Sequence, residues 1–360
     1  MPTRLLILGA GTGASNNLMR SLRAGDASFF IVGCHHDRFV LKKSSADRNY
    51  LIPRSTYPNF AAALRRVIEI EKIDLLIPNS DADVRVVSER RNKIPCRLFL
   101  PRKTVIELCQ DKYALTSFLR DHRLPAPLTY SVTDLDGIEE LFGRLGSPSR
   151  VWCRVRSGTS SLGATSVKSS EQARNWIEYW ENMRGVPATS FTLSEYLPGR
   201  DFAAQGLWKE GTLILLKICE RLSYFGGGNQ PSGVSSTPAL GKIVFDARVA
   251  GVCRKAILTL DAKASGVFSI DLKEDTSGAP FVTEINAGRF FMITNIFDLT
   301  GKYNMAVTYV RLALGESVEI REEYDFTEDY YLVRDLDTVP GIFHAEELFE
   351  GIIEVSGKKS

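Results

Sequence analysis

Two strand-like runs joined by a turn, Val267–Lys273 and Phe281–Asn286, constrain the fold of this chain more than any other feature. The residues between them are rich in Thr, Ser, Gly and Asp, which favour tight turns. Antiparallel strands joined by such a turn form a β-hairpin. The sequence therefore predicts a hairpin that folds about the Ser277–Gly278 bond.

Three oxygen-bearing side chains of this hairpin are predicted to lie together. Glu284 and Asn286 share a face because side chains alternate along a strand. Folding the hairpin about its turn brings Asp271 opposite Glu284. Two carboxylates and an amide are ligands that Mg²⁺ accepts together with phosphate oxygens, so these residues are candidate metal ligands. The alternative is a surface hairpin whose acids face water.

The composition is that of an ordinary folded protein and argues against several classes. Of 360 residues, 44% are hydrophobic and 24% are charged, which suits two or three domains with substantial cores. The net charge of +2 argues against a broad nucleic-acid surface. No apolar run approaches the roughly 18 residues of a membrane span, and the N-terminus reads as a first strand instead of a signal peptide.

Cysteine and histidine usage gives no sign of a metal centre. The six cysteines are scattered without a CxxC pair, so we expect reduced thiols and a cytoplasmic protein. His35 and His36 are adjacent, and on a strand they would face opposite ways. This argues against a two-histidine metal site.

The N-terminal part alternates short apolar runs with helical patterns. The predicted strands are Arg4–Gly9, Phe29–Gly33 and Ile73–Pro78, and the predicted helices are Asn17–Ala24 and Phe60–Lys72. This alternation is typical of a parallel α/β sheet. We expect this first domain to end near residue 108.

The remainder of the chain mixes strands and helices. A helix is predicted over Thr104–Asp121 and ends before the LPAP segment, because proline interrupts helices. Further helices are predicted over Glu171–Met183 and Arg248–Leu260. The predicted strands are 151–155, 164–167, 191–196, 203–208 and 213–218. The long Gly- and Ser-rich loop Phe225–Ala239 is typical of a functional or mobile segment.

A strand followed by a glycine loop, over residues 151–164, is a candidate phosphate-binding segment. The strand delivers Arg154 shortly before the loop RSGTSSLG. Exposed backbone N–H groups of such loops can surround a phosphate, and a nearby cation offsets its charge. The candidate loop residues are Gly158, Thr159, Ser160, Ser161 and Gly163. The alternative is a flexible hairpin turn.

The N-terminal loop GAGTGA also matches a dinucleotide-binding fingerprint. Gly9, Gly11 and Ala14 hold the fingerprint positions, and Asp37 follows the second strand, where a ribose-binding acid is expected. These residues would suit an NAD-dependent oxidoreductase. A tight turn between a strand and a helix gives the same pattern without a nucleotide, and we favour that interpretation.

Five segments, taken together and in order, resemble the ATP-grasp superfamily, especially the carbamoyl-phosphate-synthetase-like carboxylate–amine ligases. The resemblance covers roughly residues 4 to 316. The segments are CQDKYALTSFLRDHRLPAP, CRVRSGTSSLGA, SEYLPGRDF, the strand around Asp271, and TEINAGRF. They resemble, respectively, the start of the ATP-binding part, its mobile glycine loop, its hinge, the first metal position and the ExNxR signature.

The resemblance implies that ATP binds with Mg²⁺, for which Mn²⁺ can substitute. Lys112 and Arg154 would contact the phosphates beneath the glycine loop. The metal ligands would be Asp271, Glu284 and Asn286.

The hinge would hold the rest of the nucleotide. Backbone groups of Glu195, Tyr196 and Leu197 would border the adenine, and Asp201 would bind the ribose hydroxyls. The implied fold combines α/β and α+β parts. It has an N-terminal parallel α/β domain over residues 1–108 (the pre-ATP-grasp domain), followed by a two-lobed ATP-grasp fold. The small lobe would span 109–192, the large lobe with the metal site 193–320, and short strands and turns 321–360.

The chain departs from the family pattern in three respects. Its glycine loop has two glycines where many relatives have three or more. Arg289 follows Asn286 by three residues, where the commonest signature has two, so the way Arg289 meets the substrate stays open. There is one ATP unit and no glutaminase, and we do not expect the synthesis of carbamoyl phosphate.

The resemblance implies an ATP-dependent ligase that activates a carboxylate as an acyl phosphate and joins it to an amine. Arg289 would clamp the carboxylate with two hydrogen bonds, or serve as an ordinary ion-pair partner. Lys217 and Arg221, four residues apart after a strand, would contact the γ-phosphate or the carboxylate, or lie on the surface as solvated cations. The glycine loop and the Phe225–Ala239 loop would exclude water.

Two other functions stay open. A regulatory protein that binds ATP without catalysis would keep the same ligands, and an NAD-dependent oxidoreductase would use the N-terminal loop. For the ligase, the expected partners are small-molecule carboxylates and amines, with an amino-acid or small-peptide carboxylate as the default. Relatives that form dimers allow a homodimer, and we expect neither nucleic-acid nor membrane partners.

Overall fold

A computed structural model gives the conformation of most of the chain. It describes residues 2–26, 28–158, 161–233, 235, 237–293, 298–327, 329–335 and 341–347. The α-helices are α1 Gly13–Gly25, α2 Arg38–Leu41, α3 Phe60–Glu71, α4 Asp81–Glu89, α5 Lys103–Cys109, α6 Lys112–Asp121, α7 Ile138–Arg144, α8 Ser170–Arg184, α9 Ala247–Leu260 and α10 Met305–Leu314. The β-strands are β1 Arg4–Leu8, β2 Phe30–His35, β3 Arg48–Leu51, β4 Leu75–Ile77, β5 Thr129–Ser131, β6 Val151–Val155, β7 Thr165–Val167, β8 Phe191–Glu195, β9 Asp201–Lys209, β10 Thr212–Tyr224, β11 Pro238–Ile243, β12 Gly266–Glu274, β13 Pro280–Ala287, β14 Tyr330–Val333 and β15 Gly341–His344.

The N-terminal residues form a parallel sheet with strand order β3-β2-β1-β4. Its strand β1 is buried on both faces, as is usual for parallel sheets. Leu5 and Ile7 pack with α1 and α10 on one face, while Leu6 and Leu8 pack with α3 on the other. The predicted parallel α/β architecture is confirmed, and the carboxyl ends of its strands meet at one edge.

The single helix predicted over Thr104–Asp121 is wrong, because the chain forms two helices, α5 and α6, that are separated by Gln110 and Asp111. Asp111 has an extended backbone, and its Oδ1 accepts a hydrogen bond of 3.0 Å from the Ala114 N–H. An aspartate that caps a helix N-terminus in this way favours the start of a new helix. The break makes Lys112 the first residue of α6.

A second, antiparallel sheet lies within residues 129–195, with strand order β5-β8-β6-β7. Helices α7 and α8 pack on it through a core that contains Val151, Cys153 and Ile177. Side chains alternate along β6, so Arg154 points away from the face on which Cys153 is buried. Arg154 therefore faces the rest of the molecule instead of this core.

The third sheet is antiparallel, with strand order β13-β12-β9-β10-β11-β14-β15. Strand β10 is longer than the predicted 213–218, so Arg221 lies within the strand, as Lys217 does, and not after it. One face of this sheet packs against α9, where Phe202 of β9 and Ile270 of β12 share a core with Ile257 of the helix. The C-terminal strands β14 and β15 extend the same sheet through β11.

The N-terminal sheet and the third sheet share a hydrophobic core. Leu5 and Ile7 of β1 belong to the same buried cluster as Leu207 of β9 and Val267 of β12, together with α10. The proposed division of the chain at residues 108, 192 and 320 stays a prediction. Among the described residues, no helix is long and apolar enough to cross a membrane.

Candidate functional site

A cleft of about 1260 Å³ lies where the three sheets meet. Its walls are the carboxyl ends of the N-terminal strands, the glycine loop and hinge of the second sheet, and one face of the third sheet. Of the candidate residues for the ATP, metal and substrate sites that the structure describes, all except Gly163 and Lys217 line this cleft. The fold thus brings together residues from distant parts of the chain, although the role of each stays a prediction.

The acidic hairpin has the predicted register. Asp271 pairs with Glu284 on the neighbouring strand, and Ser269 pairs with Asn286. The pairing shifts by one residue at Thr283, whose hydroxyl donates to the Asp271 carbonyl at 3.1 Å. The predicted position of Asp271 opposite Glu284, on one face with Asn286, is confirmed.

Nitrogen groups contact Asp271 on both carboxylate oxygens. A guanidinium nitrogen of Arg221 lies 2.7 Å from its Oδ1, and the Asn286 amide donates to its Oδ2 at 3.4 Å. Burial raises the pKa of Asp271 to about 6, against the attraction of Arg221. A carboxylate in this position is costly to keep charged unless a cation lies beside it.

Glu284 lies between two cations. Lys112 Nζ is 3.4 Å from its Oε1, and Arg154 Nη1 is 3.6 Å from its Oε2. Burial would raise the pKa of Glu284, but the charges of Lys112, Arg154 and Arg289 hold it below its usual value. Glu284 is therefore set to be ionised at neutral pH.

Arg154 joins the glycine-loop strand to the acidic hairpin. Its Nη2 donates to the Thr283 carbonyl at 2.7 Å while Nη1 faces Glu284. Burial lowers the pKa of Arg154, and its buried Nε has no hydrogen-bond partner among the described residues. A buried cation with an unpaired donor beside a cleft is suited to an anionic ligand.

The glycine loop closes over Lys112. The Lys112 ammonium donates to the Gly158 carbonyl at 2.7 Å, and Gly158 has a φ of +134°, which few other residues adopt. Ser161 also has a positive φ, of +56°. Gly163 has a packing role instead, because a side chain there would lie 2.9 Å from the Phe191 ring. Two candidate residues of this loop lie outside the described part of the chain, Thr159 and Ser160.

The hinge follows β8 at the edge of the cleft. The Glu195 carboxylate accepts a hydrogen bond of 2.6 Å from the Leu128 N–H, and the Glu195 N–H donates to the Leu128 carbonyl at 3.0 Å. Leu197 is buried, and the Arg150 guanidinium lies 5.4 Å from the centre of the Tyr196 ring. These contacts fix the backbone of residues 195–197 where it borders the cleft.

Asp201 is surrounded by donors of the protein itself. The Arg221 Nε donates to its Oδ1 at 2.7 Å, the Tyr224 hydroxyl donates to its Oδ2, and Lys273 Nζ lies 3.8 Å away. Burial, and next to it the charge of Asp201, raise the pKa of Tyr224. The solvated-cation alternative for Arg221 is wrong, because its side chain is 12% exposed and lies between two carboxylates.

Arg289 links the acidic hairpin to the N-terminal wall of the cleft. Its Nε donates to the carboxylate of Asp81, at the start of α4, and its Nη2 donates to Asn286 Oδ1. The next residue is also held from this wall, because the Phe290 N–H donates to Asn79 Oδ1 at 3.1 Å. A substrate carboxylate that takes the Nε and Nη2 donors of Arg289 would therefore have to displace both Asp81 and Asn286.

Lys217 does not line the cleft. Its Nζ lies 2.5 Å from Asp298 Oδ1 and 2.9 Å from Asp325 Oδ2, and all three side chains are at most 2% exposed. Burial would lower the pKa of Lys217, but the two carboxylates raise it. The solvated-cation alternative is wrong for Lys217, and its predicted contact with phosphate or substrate has no support from its position.

Other residues of the chain occupy the space beside the N-terminal glycine loop. A side chain at Gly11, where φ is +87°, would lie 1.9 Å from the Val40 carbonyl oxygen. A side chain at Gly13 would lie 2.8 Å from the Met292 sulfur. The Asp37 carboxylate caps α2. This packing supports the tight turn over a dinucleotide site.

Several polar residues of the N-terminal wall, among them Ser80 and Asp83, were not predicted from the sequence. The Ser80 hydroxyl donates to Asp83 Oδ2 at 2.6 Å. The rings of His35 and His36 stack with their centres 4.4 Å apart, so the expectation that they face opposite ways is wrong. The strand β2 ends at His35, and alternation stops there. The available signal was the run of polar residues directly after the predicted strands.

The chemistry of the acidic hairpin fits Mg²⁺. The described residues contain no group of three or more His, Cys, Asp or Glu side chains that could hold a metal ion. The candidate set is of another kind, since it joins the carboxylates of Asp271 and Glu284 to the amide of Asn286 on one face of a hairpin. Hard oxygen ligands of this type, completed by phosphate oxygens, are what Mg²⁺ prefers.

No family model matches the sequence. Solved structures match most of the chain. An L-amino acid ligase from Bacillus licheniformis is 14% identical with a TM-score of 0.70, and the match covers 92% of this chain and 78% of the ligase. A biotin carboxylase from Campylobacter jejuni, in complex with β,γ-ATP, is 12% identical with a TM-score of 0.70, covering 92% and 75%. An N5-carboxyaminoimidazole synthetase from Staphylococcus aureus, complexed with ADP, is 13% identical with a TM-score of 0.66, covering 92% and 81%.

Identities this low show the fold and leave the activity to be argued from the site. The matches extend over the parallel N-terminal sheet and both antiparallel sheets, since each covers 92% of the chain. The acidic hairpin and the glycine loop line one cleft, and this chain has the fold that these solved structures share.

Proposed function

We propose that this protein is an ATP-dependent ligase that joins a carboxylate to an amine and releases ADP. The observation that carries the proposal is the cleft in which Asp271 and Glu284 meet on neighbouring strands beside Lys112 and Arg154. Phosphoryl transfer requires positioned cations and metal ligands more than a protein nucleophile. The L-amino acid ligase with the same fold supports this reaction class.

The reaction has two steps. A carboxylate oxygen attacks the γ-phosphorus of ATP, the bond to the bridging oxygen of ADP breaks, and an acyl phosphate forms. The amine then attacks the acyl carbon, phosphate leaves, and the nitrogen loses a proton. The protein contributes by holding the reactants in order and by excluding water from the acyl phosphate.

The nucleotide would lie between the hinge and the acidic hairpin. The backbone of residues 195–197 would border the adenine, and Asp201 would meet the ribose. Lys112 and Arg154 would hold phosphates, and the unpaired Arg154 Nε supports that role. Solved structures with this fold that carry β,γ-ATP or ADP support a nucleotide in this cleft.

Asp271, Glu284 and Asn286 would hold Mg²⁺ or, in its place, Mn²⁺. When bound, the metal ion offsets the negative charge that develops on the phosphates during transfer. The three side chains already share one face of the hairpin, so no backbone rearrangement is needed to present them.

The two acceptor substrates would meet at the N-terminal wall. Arg289 would bind the substrate carboxylate. Because Arg289 pairs with Asp81, the substrate would compete with the Asp81 carboxylate for this guanidinium. The amine would lie beyond it, toward Asp83 and the histidines of the same wall. A partly buried aspartate suits an ammonium group, and an amino acid supplies both functional groups.

Release of ADP in the presence of Mg-ATP and pooled amino acids tests this function. We expect ADP and phosphate to form only when a carboxylate and an amine are both present, with a condensed product visible by mass spectrometry. The Asp271→Asn variant should lose this activity, while Asp136→Asn, at a side chain that is 94% exposed, should keep it. Nucleotide binding without ADP release, across broad panels of acids and amines, would instead support a regulatory ATP-binding protein.

A further inference from the structure

Each of the three candidate metal ligands already contacts a cationic side chain. The pairs are Asp271 with Arg221, Glu284 with Lys112 and Arg154, and Asn286 with Arg289. These cations line the same cleft as the ligands. The site is therefore neutralised by the protein before any metal or nucleotide enters.

Arg221 shows this most directly. One of its guanidinium nitrogens lies 2.6 Å from Asp201 Oδ1 and 2.7 Å from Asp271 Oδ1. The side chains of all three residues are less than a fifth exposed. One cation thus serves both the acid expected at the ribose and the acid expected at the metal.

A divalent cation that enters alone would meet this guanidinium at short range. Charges interact more strongly in a partly buried site than in water, so the metal would have to displace Arg221 from Asp271. The displaced guanidinium would keep its contact with Asp201 but would gain no second anion in place of Asp271. Binding of the metal without nucleotide is therefore disfavoured.

A triphosphate that binds without the metal would also have to break ion pairs of the cleft. Pairing with phosphate would draw Lys112 and Arg154 away from Glu284, and would leave that carboxylate beside another anion. When both ligands enter, the metal takes the carboxylates and the phosphates take the cations. Each ligand therefore removes the obstacle to the other.

We propose that a divalent metal and a triphosphate bind this cleft as a mutually dependent pair, with Arg221 as the positioning residue that holds Asp271 until both are present. The inference rests on the nucleotide site of the proposed function, but not on the ligase chemistry. Coupling of this kind is reciprocal, since each ligand must tighten the other by the same factor.

Two binding measurements on the purified full chain test the inference. Electron paramagnetic resonance of free Mn²⁺ gives the affinity for the metal alone. Calorimetry gives the affinity for AMP-PNP, a non-hydrolysable ATP analogue, in EDTA and in saturating Mn²⁺. The ratio of these two AMP-PNP affinities, compared between variants, reports the coupling because the binding of Mn²⁺ to free AMP-PNP is common to all of them.

Arg221→Met should bind Mn²⁺ alone about tenfold more tightly than the wild type, and its coupling ratio should fall by a similar factor. Arg221→Lys keeps the charge and should retain most of the coupling. Arg248→Met is the matched control, because Arg248 pairs with Asp246 and Glu274 outside the cleft lining, and it should behave as the wild type. If Arg221→Met does not fold, Arg221→Met combined with Asp201→Asn removes one charge of each sign and should give the same two changes.

Equal Mn²⁺ affinity in the wild type and in the folded Arg221 variant would overturn the inference. The inference would also be overturned if the wild-type protein bound Mn²⁺ as tightly without the nucleotide as with it. ADP release by a wild type with uncoupled binding would retain the ligase and overturn only the inference. Coupled binding without ADP release for any substrate pair would do the reverse.

Discussion

Asp271 lies directly opposite Glu284 on the strands β12 and β13, and the pKa values of these two carboxyl groups shift in opposite directions. Burial raises the pKa of Asp271 to about 6. Lys112 and Arg154 hold the pKa of Glu284 below its usual value despite burial. The two pKa values differ because two cations lie beside Glu284 and one lies beside Asp271.

Replacing Glu284 should remove metal-dependent chemistry. Glu284→Gln deletes one charged ligand while keeping the shape of the side chain, and Asn286→Ala deletes another oxygen. We expect each to reduce Mg-dependent ADP release at least about 100-fold, on the scale of changes around metal ligands. A coupled ADP assay measures the effect, with circular dichroism as the check on folding. Glu323→Gln, at a half-buried side chain that pairs with Arg254 outside the cleft lining, is the control, and full activity in both cleft variants would refute the metal assignment.

Lys217 should matter for stability. Lys217→Met leaves Asp298 and Asp325 buried without their cation, so we expect the free energy of unfolding to fall by about 3–5 kcal/mol. Urea denaturation measures this change. Lys302→Met removes an exposed ion pair with Glu322 and should change the free energy of unfolding far less than Lys217→Met does. Wild-type stability in Lys217→Met would contradict the buried role of this residue.

Glu71 should make the stability of the N-terminal sheet depend on pH. Burial would raise the pKa of Glu71, but Tyr50, Arg48 and Arg4 hold it below its usual 4.5. Between the folded and unfolded values the unfolded chain binds more protons, so the contribution of Glu71 is present above about pH 4.5 and is lost as the pH falls through the folded value. Urea denaturation across pH 3 to 7 should show a smaller pH dependence in Glu71→Gln than in the wild type.

The control for that experiment is Glu69→Gln. Glu69 forms an exposed pair with Arg65 on the same helix and should leave the pH dependence unchanged. A pH dependence that is identical in Glu71→Gln and the wild type would show that Glu71 is not held as the structure indicates.

The N-terminal glycine loop should respond to packing and not to dinucleotide. Gly11→Ala introduces a methyl group against the Val40 carbonyl at a positive φ, and we expect it to destabilise the protein by more than about 1 kcal/mol. Thermal unfolding measures this loss of stability. The same measurement shows whether the protein binds Mg-ATP or NAD. Mg-ATP should raise the melting temperature of the wild type while NAD leaves it unchanged. Stabilisation by NAD but not by Mg-ATP would favour an oxidoreductase.

The register of the acidic hairpin could be predicted because its causes are local. Alternation fixes which side chains share a face, and the turn residues fix where the strands reverse. Asp271 and Glu284 are only 13 positions apart, so both causes lie within one short segment. The parallel N-terminal sheet was predictable for the same reason, from apolar runs that alternate with helical spacing.

The contacts of the cations could not be predicted, because they join distant segments. Lys217 meets Asp298 and Asp325, and Arg289 meets Asp81, through the way the sheets pack on one another. A lysine four positions from an arginine on one strand gives no local sign that only the arginine reaches the cleft. The helix break at Asp111 was missed for a smaller reason, since a single capping side chain outweighed a continuous helical pattern there.

A crystal structure of the protein with Mn²⁺ and AMP-PNP, with the metal located by anomalous scattering, is the most direct measurement. We expect one manganese peak within bonding distance of oxygens from Asp271, Glu284 and Asn286 and of the bound phosphates. We also expect Arg221 to have left Asp271. Bound nucleotide with manganese elsewhere, or with the three side chains still paired to their cations, would contradict the metal site on which the proposed function depends.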